Sequence, residues 1–278
     1  MIKNNIINLA FRSLIEEVSL APKPGLVDPF DNGSHTDMNF PIFIDSCTAL
    51  RDGFSDYFDV GQNHTGSLRD LFDSVRVIGK NNEDKMFLAT NNINTHKGAN
   101  FMFGIIISLI AKLDFPSLIE LQEGIKEMTN GLVERELSSL KEFRTHGEKM
   151  YQKYNITGIR GEVEAGIPLA FDVALKIIQE EKVDYPTRLK QALLKLISLN
   201  DDANMVKRGG IEGLNFGKQL SCAKYKDLDQ HLNYMNKEFI KKSLSPGGSA
   251  DILAVAIFLN HYNNLLVGCN YEKSFSKR

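Results

Sequence analysis

At 278 residues the chain has the length of one large domain or two small ones, and 42% hydrophobic with 24% charged residues suits a packed globular protein. A formal net charge of −2 speaks against a nucleic-acid binder, which carries a marked basic excess. The three cysteines, Cys47, Cys222 and Cys269, follow no metal spacing, and so sparse a set points to reduced thiols in a cytoplasmic protein.

Met1-Ile2-Lys3-Asn4-Asn5 lacks the charged, apolar and small-residue order of a secretory leader. After it, Ile6, Ile7, Ala10, Phe11, Leu14 and Val18 recur at three- and four-residue steps and predict a first helix. Comparable periodicity predicts helices over about 41–58, 67–78, 99–112, 117–140, 168–179, 186–199, 228–241 and 250–266. The charged stretches 80–85 and 180–184 read as solvated turns. The most apolar run, 99–111, is shorter than the ~20 residues a membrane span needs, so it reads as a buried core helix. Alternating strand patterns bounded by turn signals are missing. The expectation is a single all-α domain over residues 1–278, roughly ten helices, soluble and cytoplasmic, with no membrane span and with its active site in inter-helix loops.

Five polar, glycine-bearing motifs interrupt this pattern. Lys23-Pro24-Gly25-Leu26-Val27-Asp28 ends the first helix with prolines and turns at Gly25, and Asp31, His35 and Asp37 follow closely. Asp and His at this spacing suit a divalent ion or helix caps equally well. Asn94-Thr95-His96-Lys97-Gly98 precedes the most apolar helix, with Asn94 or Thr95 as the expected N-cap. His96 and Lys97 then occupy a first turn where the helix dipole prefers acids, which makes sense if an anionic ligand completes the balance.

Arg160-Gly161-Glu162-Val163-Glu164 carries two carboxylates at i and i+2. In an extended turn they project to one side and call for a metal, an arginine or a shared proton. Asp202-Ala203-Asn204 leads to Arg208-Gly209-Gly210; in a helix, Asp201, Asn204 and Arg208 share a face, an oxygen-rich pair suited to Mg²⁺ beside a cation suited to phosphate. Ser245-Pro246-Gly247-Gly248-Ser249-Ala250-Asp251 starts the last helix, with Ser249 as its expected cap, although two adjacent glycines exceed what capping requires. Each motif alone has an ordinary structural explanation. Together they point to one polyanion site assembled from distant loops.

In this order the motifs resemble the triphosphoribosyl-dephospho-CoA synthase family. The matching segments are 22–28 with 33–38, 94–98, 158–168, 202–210 and 244–251, within a resemblance that spans about residues 16–260. Three positions depart from the family pattern: Ala203 stands where a threonine is usual, Asn92 where a glycine is usual, and Pro29 where many members carry arginine. Asn92 still tolerates a left-handed backbone. The resemblance implies transfer of the triphosphoribosyl part of ATP to the 2′-hydroxyl of 3′-dephospho-CoA, with release of adenine. It also implies that the product is the prosthetic-group precursor for the acyl-carrier protein of citrate lyase or malonate decarboxylase, and it leaves a homodimer open.

Such a reaction breaks an N-glycosidic bond and leaves the phosphates intact, so the ribose gathers positive charge and an inverting displacement needs a base. Glu162 and Asp202 are the candidates for that base, with His96 on a phosphate or the departing adenine. Lys23, Lys97, Arg160 and Arg208 would hold the triphosphate, and Gly25, Asn94, Gly209, Ser245, Gly247, Gly248 and Ser249 would line the substrates. Asp28, Asp37, Asn204 and Asp251 are the candidates for Mg²⁺ brought with ATP. Two other classes remain: a metal-dependent phosphohydrolase built on Asp28, His35 and Asp37, and a non-catalytic nucleotide sensor.

Overall fold

A computed structural model describes residues 2–140 and 142–275; the side chain of Cys269 lies outside the described residues. Among the described residues the chain folds into twelve α-helices and two π-helical segments, with no strand. Helix α1 (Ile2–Ser19) buries the predicted stripe of Ile6, Ile7, Ala10, Leu14 and Val18. Helix α2 (Phe40–Asn63) starts on an Asn39 cap, and α3 (Leu68–Ala89) on a Ser67–Asp70 capping box.

The turn expected at 80–85 does not form. Helix α3 runs straight through it, because its charged residues form the wet face of a helix that buries Asn82 and Met86. Helix α4 (Lys97–Lys112) is the expected core helix, with Met102, Phe103 and Ile105–Ile107 fully buried. Helix α5 (Leu118–Thr129) stops well short of residue 140, since Gly131 turns the chain in a left-handed conformation (φ 70°) before the π-helical segment Glu134–Ser138.

Next come α6 (His146–Tyr154) and α7 (Gly158–Glu164), both too short and too polar to show an apolar period. The π-helical segment Leu169–Ala174 runs directly into α8 (Leu175–Gln179), and together they fill the predicted 168–179 helix. Helix α9 (Tyr185–Leu199) and α11 (Leu228–Lys241) agree with expectation. Between them lies α10 (Ala203–Ser221), which kinks at Gly210 (φ 65°, ψ −169°) in a conformation open essentially to glycine alone. Helix α12 (Gly247–Phe275) closes the chain.

Helices α4 and α12 form the centre. Helix α2 packs on α1, α3 and α4, while α12 touches α1 and α4 on one side and α8, α9, α10 and the 169–174 segment on the other. Buried side chains from Ile6 to Tyr262 form one continuous core. Part of α12, Gly247–Gly268, is long and apolar enough to cross a membrane by length and composition, but Ile252 to Leu259 are buried in that core. Helices α4 and α10 both pack against α12, and the N-terminal ends of all three lie beside one another.

Candidate active site

Those three helix starts open onto one cavity of about 650 Å³, whose wall includes Lys97, Ala203 and Gly247. Backbone N–H groups at a helix start lack intrahelical partners and carry the positive end of the dipole, so three starts at one cavity favour a polyanion. Helix α7 adds Arg160 and Glu162, and the loop after α1 adds Lys23, His35 and Asp37. Of the predicted residues, Asn94, His96, Asp202, Asn204, Arg208, Ser245, Gly248 and Asp251 line it too. Gly25, Asp28, Gly209 and Ser249 do not.

The four absent residues hold the wall in place. Gly25 (φ 67°) donates its N–H to Asn236, and a Cβ there would strike the carbonyl of Leu244. A Cβ on Gly209 would strike the Leu244 side chain. One oxygen of Asp28 accepts from the N–H groups of Phe30 and Asp31 at 2.8 and 2.9 Å, which closes a local turn behind the cavity lining. Ser249 is not the cap of α12, which begins two residues earlier; it donates both N–H and Oγ to Asp202.

Asp202 is a joint between helices. As N-cap of α10, its Oδ1 accepts from Asn204 and Met205, while Oδ2 accepts from the Ser249 N–H at 2.8 Å and the Ser249 hydroxyl at 3.0 Å. Burial raises its carboxyl pKa, and these hydrogen bonds work against that rise. The shared face expected for Asp201, Asn204 and Arg208 does not form, because the helix begins only at Ala203 and Asp201 pairs with Lys218.

Glu162 has a different environment. The expected extended turn is instead helix α7, so Glu162 and Glu164 diverge as i, i+2 residues must. Glu164 accepts from the N–H groups of Gly131 and Val133, whereas Glu162 lines the cavity and accepts one N–H, from Leu169 at 2.8 Å. Burial pushes the Glu162 carboxyl up to about 7. Asp251 abuts the start of α4, where any Cβ on Gly98 would strike its Oδ2, and burial holds its carboxyl well above the usual range.

His96 is the N-cap residue of α4, so the helix starts later than an Asn94 or Thr95 cap predicts; Asn94 accepts from Lys97 N–H only at 3.4 Å. Burial, with Lys23 nearby, lowers the His96 pKa to about 3, and the ring is neutral. His35 is also neutral, lowered to about 4 by burial and by Arg208, which donates to its Nδ1 at 2.9 Å. Asn92, at the position where glycine is usual in the family, adopts φ 64° as its tolerance of that conformation predicts.

The cavity cations are mostly partnered. Lys23 is buried against Glu17 at 2.7 Å, Lys97 pairs with Glu83 at 2.9 Å, and Arg160 pairs with Glu136 at 2.7 Å. Arg208 donates to the carbonyls of Ser34 and Ser243. Among the described residues no three His, Cys, Asp or Glu side chains converge at metal-binding range, so the donor set does not form a protein-built metal cage.

Sequence reasoning missed five contributors: Glu17, Ser46, Arg76, Glu83 and Lys207. Glu17 was legible as a charge on the apolar stripe of α1, three residues after Leu14, and Lys207 as the neighbour of Arg208. Arg76, Glu83 and Ser46 sit on α2 and α3 as ordinary polar helix residues with no local signal.

A family model described as ATP:dephospho-CoA triphosphoribosyl transferase matches residues 3–269. The chain is 36% identical over 276 residues to Protein CitXG of Leuconostoc mesenteroides subsp. cremoris, covering 93% of the chain and 59% of that longer protein. It is 36% identical over 291 residues to a probable 2-(5''-triphosphoribosyl)-3'-dephosphocoenzyme-A synthase of Streptococcus equi subsp. equi, covering 95% of the chain and 98% of the relative. Against the 2-(5''-triphosphoribosyl)-3'-dephosphocoenzyme-A synthase of Haemophilus ducreyi identity is 37% over 284 residues, with 91% and 87% covered. No solved structure matches the chain.

Proposed function

The chain belongs to the family of ATP:dephospho-CoA triphosphoribosyl transferases, and we propose that the cavity at the starts of α4, α10 and α12 is where it performs that transfer. The observation that carries this assignment is the meeting of three helix starts, several cations and an uncapped carboxylate, Glu162, in one wall. The C1′–N9 bond of ATP breaks with its electron pair on adenine, and the 2′-oxygen of dephospho-CoA forms the new bond to C1′. Glu162 takes the hydroxyl proton and solvent protonates the departing base.

Asp202 is the poorer base, because both its oxygens already accept from Ser249 and from the start of α10. A carboxylate held near 7 is half-ionised at neutral pH and matched to proton transfer there. Lys97, Arg160, Lys207 and Arg208 face the triphosphate, and Leu26, Val27, Met38 and Phe43 supply the apolar part of the wall for the base. Mg²⁺ arrives with ATP as part of the substrate, and in this reading Asp37, Asn204 and Asp251, which line the cavity, meet its water shell. A cytosolic location and delivery of the product to the acyl-carrier protein of citrate lyase or malonate decarboxylase complete the reading.

Incubation with MgATP and dephospho-CoA releases adenine and forms the triphosphoribosyl adduct by mass; ADP or free phosphate instead would overturn the assignment. Full CoA turns over poorly, since its 3′-phosphate crowds the adjacent 2′-hydroxyl, and equal turnover of both acceptors counts against this orientation. The phosphohydrolase alternative loses support from the geometry, because Asp28 lies outside the cavity and His35 is held between Arg208 and Ser245.

A further inference from the structure

The His96 ring is buried in the cavity wall, edge-on to Phe43 with ring centroids 5.0 Å apart. Its Nδ1 lies 2.7 Å from Ser46 Oγ, and the Thr95 hydroxyl donates to that same oxygen at 2.6 Å. Ser46 is fully buried, and its hydroxyl meets no other group among the described residues. With Thr95 donating to the oxygen, the single Ser46 proton is directed to Nδ1. A neutral imidazole that accepts at Nδ1 carries its hydrogen on Nε2. That Nε2 is buried and has no partner among the described residues, an arrangement native proteins rarely leave unmet.

We infer that Thr95 and Ser46 form a hydroxyl relay that fixes His96 in its Nε2–H tautomer, so that the neutral ring donates a hydrogen bond to the departing adenine. The inference rests on the reading of the cavity as the place of adenine release. Adenine gathers negative charge as C1′–N9 breaks, and a donor aimed at a purine ring nitrogen stabilises that charge in the transition state more than in the ground state. A neutral donor does so without setting a second positive charge beside the cationic ribose. Burial and the neighbouring Lys23 both oppose protonation of the ring, in keeping with this role. Ser46 and Thr95 are positioning residues, which act only through His96.

Two readouts test it. In histidine-labelled protein without substrate, long-range ¹H–¹⁵N correlation shows the His96 resonances, assigned by their loss in His96→Gln, with Nε2 protonated and Nδ1 bare; a protonated Nδ1 overturns the relay. Ser46→Ala releases the tautomer, with folding checked by thermal melting, and Thr95→Val does so to a smaller degree. An unchanged spectrum in both variants overturns it as well.

In assays, His96→Leu lowers kcat by roughly 10²-fold with little change in KM for ATP. His96→Gln, which places an amide N–H near the Nε2 position, keeps more of the rate; equal losses for Gln and Leu overturn the donor role. Wild type and His96→Leu are then compared on ATP, 7-deaza-ATP and 3-deaza-ATP. The loss from one analogue is non-additive with the loss from His96→Leu, while full additivity for both excludes adenine as the acceptor. The tautomer is read without turnover, so a failed relay is distinct from failure of the transferase reading, which shows as absent adenine release in wild type.

Discussion

Glu162 joins two properties that seldom coincide, a single backbone donor and a burial that holds its carboxyl near 7. A base must be ionised, so activity rises with pH through about 7, and Glu162→Gln abolishes that limb while leaving ATP binding nearly intact. Stability carries the opposite sign. The folded pKa lies above the usual carboxylate value, so wild type loses stability as pH rises from about 4.5 to about 7. Glu162→Gln melts higher than wild type at pH 8, and no such gain is seen at pH 4. Lys207 is the residue to test for phosphate binding, since it lines the cavity and has no carboxylate in ion-pair range among the described residues. Lys207→Ala raises KM for ATP by roughly tenfold and spares kcat, as loss of one charge-assisted contact requires. At this scale the sequence reveals acids and cations massed beside glycines, such as Glu162 and Arg208. Which oxygen of Asp202 is occupied, and by which helix, depends on contacts 47 residues apart that no local pattern encodes.

Between elements, Asp202 caps α10 and α12 together, one carboxylate oxygen for each. Asp202→Ala removes both caps, leaves the buried Ser249 hydroxyl without its acceptor and the Ser249 N–H with the Pro246 carbonyl alone, so it costs about 2–4 kcal/mol in urea unfolding. Asp202→Asn keeps one acceptor and falls between that variant and wild type. Gly98 has a related function, admitting the Asp251 carboxyl against the start of α4 where a side chain would collide. Helices with an apolar stripe, α1, α4, α9 and α11 among them, are legible from periodicity alone. Those that were not legible, α6 and α7, are short and polar, and α10 carries four glycines that mimic loop composition. The 80–85 stretch failed for the converse reason: charges mark a wet surface, and a long helix has one as surely as a turn does.

In the molecule as a whole, the two buried helices α4 and α12 organise the packing, and the motifs that line the cavity lie at the ends of elements whose middles form the core. The all-α class followed from the pattern of periodic segments; the gathering of five motifs into one cavity followed only from tertiary packing, with α4 and α10 both against α12. The ion pairs of the cavity wall give this assembly a preference by valence. Glu17, Glu83 and Glu136 serve as built-in counterions, so a small anion entering the pocket merely exchanges places with a tethered carboxylate and gains little. A triphosphate engages several of these sites from a single tethered backbone, and each exchange after the first proceeds at high local concentration. Sulfate in large excess over ATP therefore leaves the KM for ATP almost unmoved, whereas inorganic tripolyphosphate competes strongly, a contrast that steady-state inhibition kinetics displays directly.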